Sequence, residues 1–141
     1  MIDLNRYLEM LEETEANLIV FKDDEVLFSS DRRGVSPLIE VIDKFGKEKL
    51  SGVVTSDRIV GKAAVLLNAY MGSSEMYALV MSEKAMKIAE EYEIPYTRRE
   101  TAEYIINRDG TGMCPFEQLV SKIEDPTEAY SAIKVKLASF T

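Results

Sequence analysis

The stretch "SDRIVGKAAVLL", Ser56 to Leu67, places a Gly-Lys pair where an extended segment gives way to a helix. A Walker A loop needs a glycine five residues before the Gly-Lys and a Ser or Thr directly after it, because backbone amides wrap the phosphates and the hydroxyl holds magnesium. Ser56 and Ala63 occupy those positions, so a P-loop is excluded. What survives is Lys62 in the first turn of a helix, where free backbone amides favour an anion, beside Gly61, which admits a ligand close to the backbone. The competing reading is a lysine facing solvent and a glycine needed for close packing. Both stay open from the sequence, although a lysine at a helix start is mildly unfavourable to the helix itself.

Working outward, "LSGVVTS" before the pair reads as a short strand, and residues Ile59 to Met71 carry apolar side chains on every helical face. A helix of that kind lies in the middle of a domain. Downstream, "EMYALVMS" has the unbroken apolar character of a strand covered on both faces, "EKAMKIAEEY" returns to helical spacing, and "IPYTRRE" reads as a strand after a crossover. Upstream, Leu4, Tyr7, Leu8 and Leu11 predict a helix over residues 3 to 14. "NLIVFK" and "EVLFSS" predict two antiparallel strands turning at Asp23-Asp24. "GVSPLIEVIDKFG" predicts a helix with Ser36 as N-cap, Pro37 in its first turn and a stop at Gly46. Alternating strands and helices predict an α/β fold, a sheet with helices on both sides.

From about residue 105 the pattern changes to a C-terminal helical extension. A polar loop, Asn107 to Gly112, precedes a helix whose apolar side is Phe116, Leu119, Val120 and Ile123; a last helix begins at "DPTE", with Asp125 as N-cap and Glu128 completing a capping-box-like arrangement. At 141 residues the chain suits one domain, residues 1–141.

Composition narrows the chemistry. A net charge of -8 argues against non-specific binding to nucleic acid or to anionic membranes. No apolar run reaches the length of a membrane span, and the N-terminus lacks a signal-peptide pattern, so a cytoplasmic location is expected. The chain has one cysteine, Cys114, and no histidine, which removes the internal disulfide, the imidazole general base and the commonest zinc ligand. Neither a metal nor another cofactor is expected.

Three further features carry possible chemistry. Cys114 stands directly before Pro115 at a helix start, a position that activates thiols in general, but it also suits a small buried residue. "NRDGTG", residues 107 to 112, combines side-chain donors with two glycines, as an anion-binding loop or an ordinary turn would. Ser82 and Glu83 open the helix after "EMYALVMS", most simply as a cap and an acid complementing the helix dipole.

"SDRIVGKAAVLL", "ALVMSEKAM" and "IINRDGTGMCPFEQLV", in that order and spacing, resemble a small prokaryotic family of unknown function that shares the cytidine-deaminase-like fold without its zinc ligands. Zinc deaminases place His-x-Glu or Cys-x-Glu at one helix start and Pro-Cys-x-x-Cys at the next. Here the first start reads "VGKAA" and the second "SEKAM", with Glu83 and Met86 at the two cysteine positions. The resemblance implies a three-layer α-β-α sandwich with the Lys62 and Ser82 helix ends side by side at one sheet edge. It also implies that Asn107, Arg108, Cys114 and Glu117 cover that edge, and that zinc-dependent deamination is absent.

The leading expectation is therefore a site for a small anionic molecule, phosphorylated or carboxylated, nucleotides included, formed by Asp57, Gly61, Lys62, Ser82, Asn107, Arg108 and Cys114. Lys62 and Arg108 would neutralise the anion, Asn107 would orient it, and Asp57 would cap the central helix or pair with Arg108. Two alternatives stand beside it. One is an enzyme with Cys114 as nucleophile and Glu117 or Lys62 moving protons; the other is a regulatory module without chemistry, as a homodimer or with a protein partner.

Overall fold

The structure, a computed structural model, describes residues 4–106 and 112–140. Its elements are α1 (Leu4–Glu13), β1 (Leu18–Lys22), β2 (Glu25–Ser30), α2 (Ser36–Leu50), β3 (Val54–Val60), α3 (Lys62–Met71), β4 (Glu75–Ser82), α4 (Glu83–Glu91), β5 (Tyr96–Ala102), α5 (Pro115–Leu119) and α6 (Pro126–Ala138), with a 3-10 turn at Val120–Lys122. The five strands form one mixed sheet in the order β2-β1-β3-β4-β5, as the α/β pattern predicts. β1 is antiparallel to both β2 and β3, whereas β3, β4 and β5 run parallel, joined by the helical crossovers that parallel strands require.

Local chemistry accounts for most boundaries. Asp23 and Asp24 both adopt positive φ, 52° and 65°, as a tight hairpin turn demands, and Asp is among the few side chains that tolerate it. Asp125 caps α6 by accepting from the Glu128 amide at 2.8 Å.

Several boundaries differ from the sequence reading: the strand expected from Leu50 begins at Val54, and the helix expected through Phe116, Leu119, Val120 and Ile123 is the five-residue α5 followed by the 3-10 turn, with Ile123 extended beyond it. In α2 the cap position is Val35, not Ser36, and Gly46 (φ 82°) interrupts the helix without ending it. One further turn follows because it carries Leu50 into the core, where it is fully buried. The central helix starts at Lys62 and not at Ile59: Ile59 and Val60 extend β3, paired with Val80 and Met81 of β4. Asp57 is thereby a strand residue and cannot cap α3.

Apolar cores lie on both faces of the sheet. On one face Tyr7, Leu8 and Leu11 of α1 pack on Ile19, Phe21 and Tyr77, with the Tyr7 and Tyr77 rings stacked at 4.5 Å. On the other, Leu18, Val20, Met76 and Ala78 meet α2, α3 and α4. Ala129 and Ile133 of α6 join that same core, packing over α3 from outside, which explains why α3 is apolar on all sides. Within it Asn68 stitches α3 to β3: its Oδ1 accepts from Thr55 Oγ1 at 2.8 Å and Ser73 Oγ at 2.7 Å, and its Nδ2 donates to the Ala64 carbonyl at 2.9 Å. This satisfied buried network fixes the helix against the strand that leads into the site.

Candidate functional site at the start of α3

The parallel strands β3 and β4 end side by side, and each leads directly into a helix. At the start of α3 the Lys62 amide donates to Glu117 Oε1 at 2.7 Å and the Ala63 amide donates to Glu117 Oε2 at 2.8 Å. The helix start therefore holds an anion, and the anion is a carboxylate from α5 of the same chain. Helix dipole and unpaired first-turn amides both favour it there.

Gly61 makes the approach possible. Its φ of -107° is open to any residue, so conformational freedom is not its role. A Cβ at this position would lie 2.4 Å from Glu117 Oε1, 2.5 Å from its Cδ and 2.8 Å from Oε2, inside van der Waals contact with the whole carboxylate.

Lys62 is 3% exposed, not a solvent-facing residue. Its Nζ lies 3.1 Å from Glu124 Oε1 and 3.5 Å from the Ser121 carbonyl oxygen. Glu124 itself is well exposed, and its carbonyl accepts from the Tyr92 hydroxyl. Both the amides and the ammonium at this helix start are thus engaged by the C-terminal extension.

The neighbouring start is closed differently. Ser82 is buried, and its Oγ accepts from the Ala85 amide at 3.1 Å, with Glu83 as the acid of the first turn. This is local capping.

Asp57 lies in β3 between Leu18 of β1 and Ala78 of β4. Burial pushes its carboxyl up to about 8, opposed by the backbone amides of Ile59 and Arg58 and more weakly by the Arg58 charge. The Arg58 guanidinium is directed to the end of α1, donating to the Leu11 and Ala16 carbonyls at 2.7 and 2.8 Å and to Asn17 Oδ1 at 2.9 Å. Next to Asp57, Ser56 Oγ is buried and, among the described residues, has no hydrogen-bond partner.

Cys114 is half-buried at the cap position of the five-residue α5, where its thiol caps nothing. Its amide donates to the Ile105 carbonyl at 2.8 Å, and Ile106 and Met113 form an antiparallel bridge. Asn107 and Arg108 lie outside the described residues. Of the expected set, the structure brings Gly61 and Lys62 together with Glu117. It adds Glu124, which sequence reasoning missed because nothing local marks an acid 62 residues away as a partner of Lys62. Among the described residues no cluster of three or more acidic or sulfur side chains is arranged to hold a metal ion, and no helix is long and apolar enough to cross a membrane.

Comparison with known proteins agrees with the architecture. Residues 6–137 match the family described as TM1506, domain of unknown function (DUF1893). The crystal structure of a DUF1893 family protein (TM1506) from Thermotoga maritima superposes with a TM-score of 0.84 at 27% identity, over 96% of this chain and 92% of that one. No curated protein matches. With the α3 and α4 helix starts, the central buried helix and most of the C-terminal extension inside the matched span, the chain belongs to the DUF1893 family.

Proposed function

We propose that this protein is a metal-independent binder of small anions, built on a cytidine-deaminase-like three-layer fold, and that its ligand enters at the start of α3 by displacing the Glu117 carboxylate. The observation that carries this reading is the pair of hydrogen bonds that the Lys62 and Ala63 amides donate to the Glu117 carboxylate over a bare Gly61 Cα. A helix start that seats one carboxylate at this range suits a carboxylate or phosphate oxygen pair from elsewhere.

The deaminase-like part of the proposal rests on topology. Two adjacent parallel strands deliver two helix starts side by side, the placement that zinc deaminases use for their ligands, here with Gly61-Lys62 and Ser82-Glu83. Glu117 and Glu124 then act as tethered competitors. A tethered group has an effective concentration of about a millimolar or more, so ligand affinity in the intact protein is reduced by that competition.

The experiment is calorimetric titration of AMP, ribose 5-phosphate and citrate into wild type, Glu117→Ala and the Glu117→Ala/Lys62→Ala double variant. Removing Glu117 is expected to raise affinity for at least one of these by about tenfold or more, and removing Lys62 as well to cancel the gain. No gain for any of the three in Glu117→Ala contradicts the reading and leaves Glu117 a purely structural cap.

A further inference from the structure

The sheet has two edges of opposite character. At the β5 edge, residues Thr97 to Thr101 are exposed and include Arg98, Arg99 and Glu100, with Arg99 ion-paired to Glu12. Charges of this kind guard an edge against further pairing. The β2 edge is uncharged from Val26 to Ser30, and Val26 is 49% exposed.

An open groove of about 530 Å³ lies at the C-terminal half of that edge. One wall is residues 28–32, the other is the Thr14–Ala16 turn, and Glu40 of α2 closes one side. Continuous with it is a hollow of about 140 Å³ whose floor is Met10, Ile19 and Val26; Thr14, Ala16 and Ser29 line both. A bulge at Leu27 shifts the β1 register between Val20 and Phe21, but Ser29 and Ser30 pair regularly with Ile19 and Leu18 beside the groove. Together they form an open concavity beside Phe28, Ser29 and Ser30 of β2 with a small, mostly apolar recess next to Val26.

Charge selects the occupant. Glu15, Asp31 and Glu40 face the groove against Arg32 alone, and none of these acids is in an ion pair among the described residues. A second copy would bring the same acids and a net charge of -8 to the groove. A basic segment is attracted to it.

We propose that the β2 edge receives an extended segment of another protein in which apolar and basic residues alternate, added to the sheet as a further strand with one apolar side chain in the Met10, Ile19 and Val26 hollow. Main-chain bonds along β2 supply affinity and the hollow supplies specificity, as in other cases of strand addition.

The test is fluorescence anisotropy of a labelled KVKVKVK peptide with the full chain, against KSKSKSK and EVEVEVE peptides of equal length. Expected are binding of KVKVKVK about tenfold tighter than either control, and an approximately tenfold loss in Val26→Lys. Amide exchange should slow at residues 28–30 when the peptide is bound. Equal binding of KVKVKVK and KSKSKSK, unchanged binding by Val26→Lys, or a self-associated chain that Val26→Lys dissociates would each overturn the proposal, the last in favour of a second copy.

Discussion

The two consecutive strand-helix units, β3–α3 and β4–α4, run parallel and in register, yet their interiors are opposites. Where β4 carries Tyr77 and Ala78, β3 carries Ser56 and Asp57. Where α4 is capped by its own Ser82, α3 is capped by Glu117, 54 residues further along the chain from Ala63. The β4–α4 unit takes its helix cap locally. The β3–α3 unit keeps a buried carboxyl and a hydroxyl with no hydrogen-bond partner among the described residues, and takes its cap from a distant arm of the chain. Polar groups retained at a cost in one of two otherwise equivalent units mark the unit in which function is to be sought.

Four substitutions test this contrast. The largest effect belongs to Asp57. In the unfolded chain its carboxyl ionises near its ordinary value of 3.8, and in the folded chain only near 8. Between these values the unfolded state binds fewer protons, so stability falls as pH rises. At about 1.4 kcal/mol per unit the loss is on the order of 6 kcal/mol across that window. Asp57→Asn should flatten this part of the profile, measured as the difference in urea unfolding free energy between about pH 4.5 and about pH 8. A wild-type and variant difference that does not change with pH would place the titration elsewhere.

Glu117→Ala comes next. It leaves the Lys62 and Ala63 amides without their charged partner and should lower stability by about 2 kcal/mol at neutral pH in urea unfolding. Ser82→Ala removes one local cap and should cost about 1 kcal/mol by the same measurement. If the two variants lose equal amounts, the distant cap is no more than an ordinary one. Smallest, and opposite in sign, is Ser56→Ala. Deleting a buried hydroxyl with no partner among the described residues should leave stability unchanged or raise it by up to about 1 kcal/mol, read as a higher urea midpoint. A clear loss would mean that Ser56 Oγ has a partner, such as a buried water.

The β4–α4 unit was almost fully legible in the sequence, and β3–α3 was not. "EMYALVMS" and "SEKAM" state their strand and cap within a few residues, as do the Asp23-Asp24 hairpin and the Asp125 cap. "DRIVGKAAVLL" is apolar through a strand-helix junction, so periodicity assigned Ile59 and Val60 to the helix; only the pairing with β4 places them in the strand. The same shift turned Asp57 from an expected helix cap into a buried strand residue. Gly61 and Lys62 were recognisable as a place for an anion, because glycine and a helix start have meaning locally. That the anion at the amides is Glu117, and that Lys62 meets Glu124, depends on how the C-terminal extension folds back over α3, which no spacing in the sequence encodes.

The central claim is that Gly61 is bare because the Glu117 carboxylate lies against it. A double-mutant cycle of Gly61→Ala and Glu117→Ala, followed by urea unfolding, tests it most directly. Gly61→Ala is expected to cost about 2 kcal/mol in the wild type, by pushing the carboxylate off the amides, and close to nothing once Glu117 is alanine, a coupling of about 2 kcal/mol. Additive effects, with Gly61→Ala costing the same in both backgrounds, would contradict it.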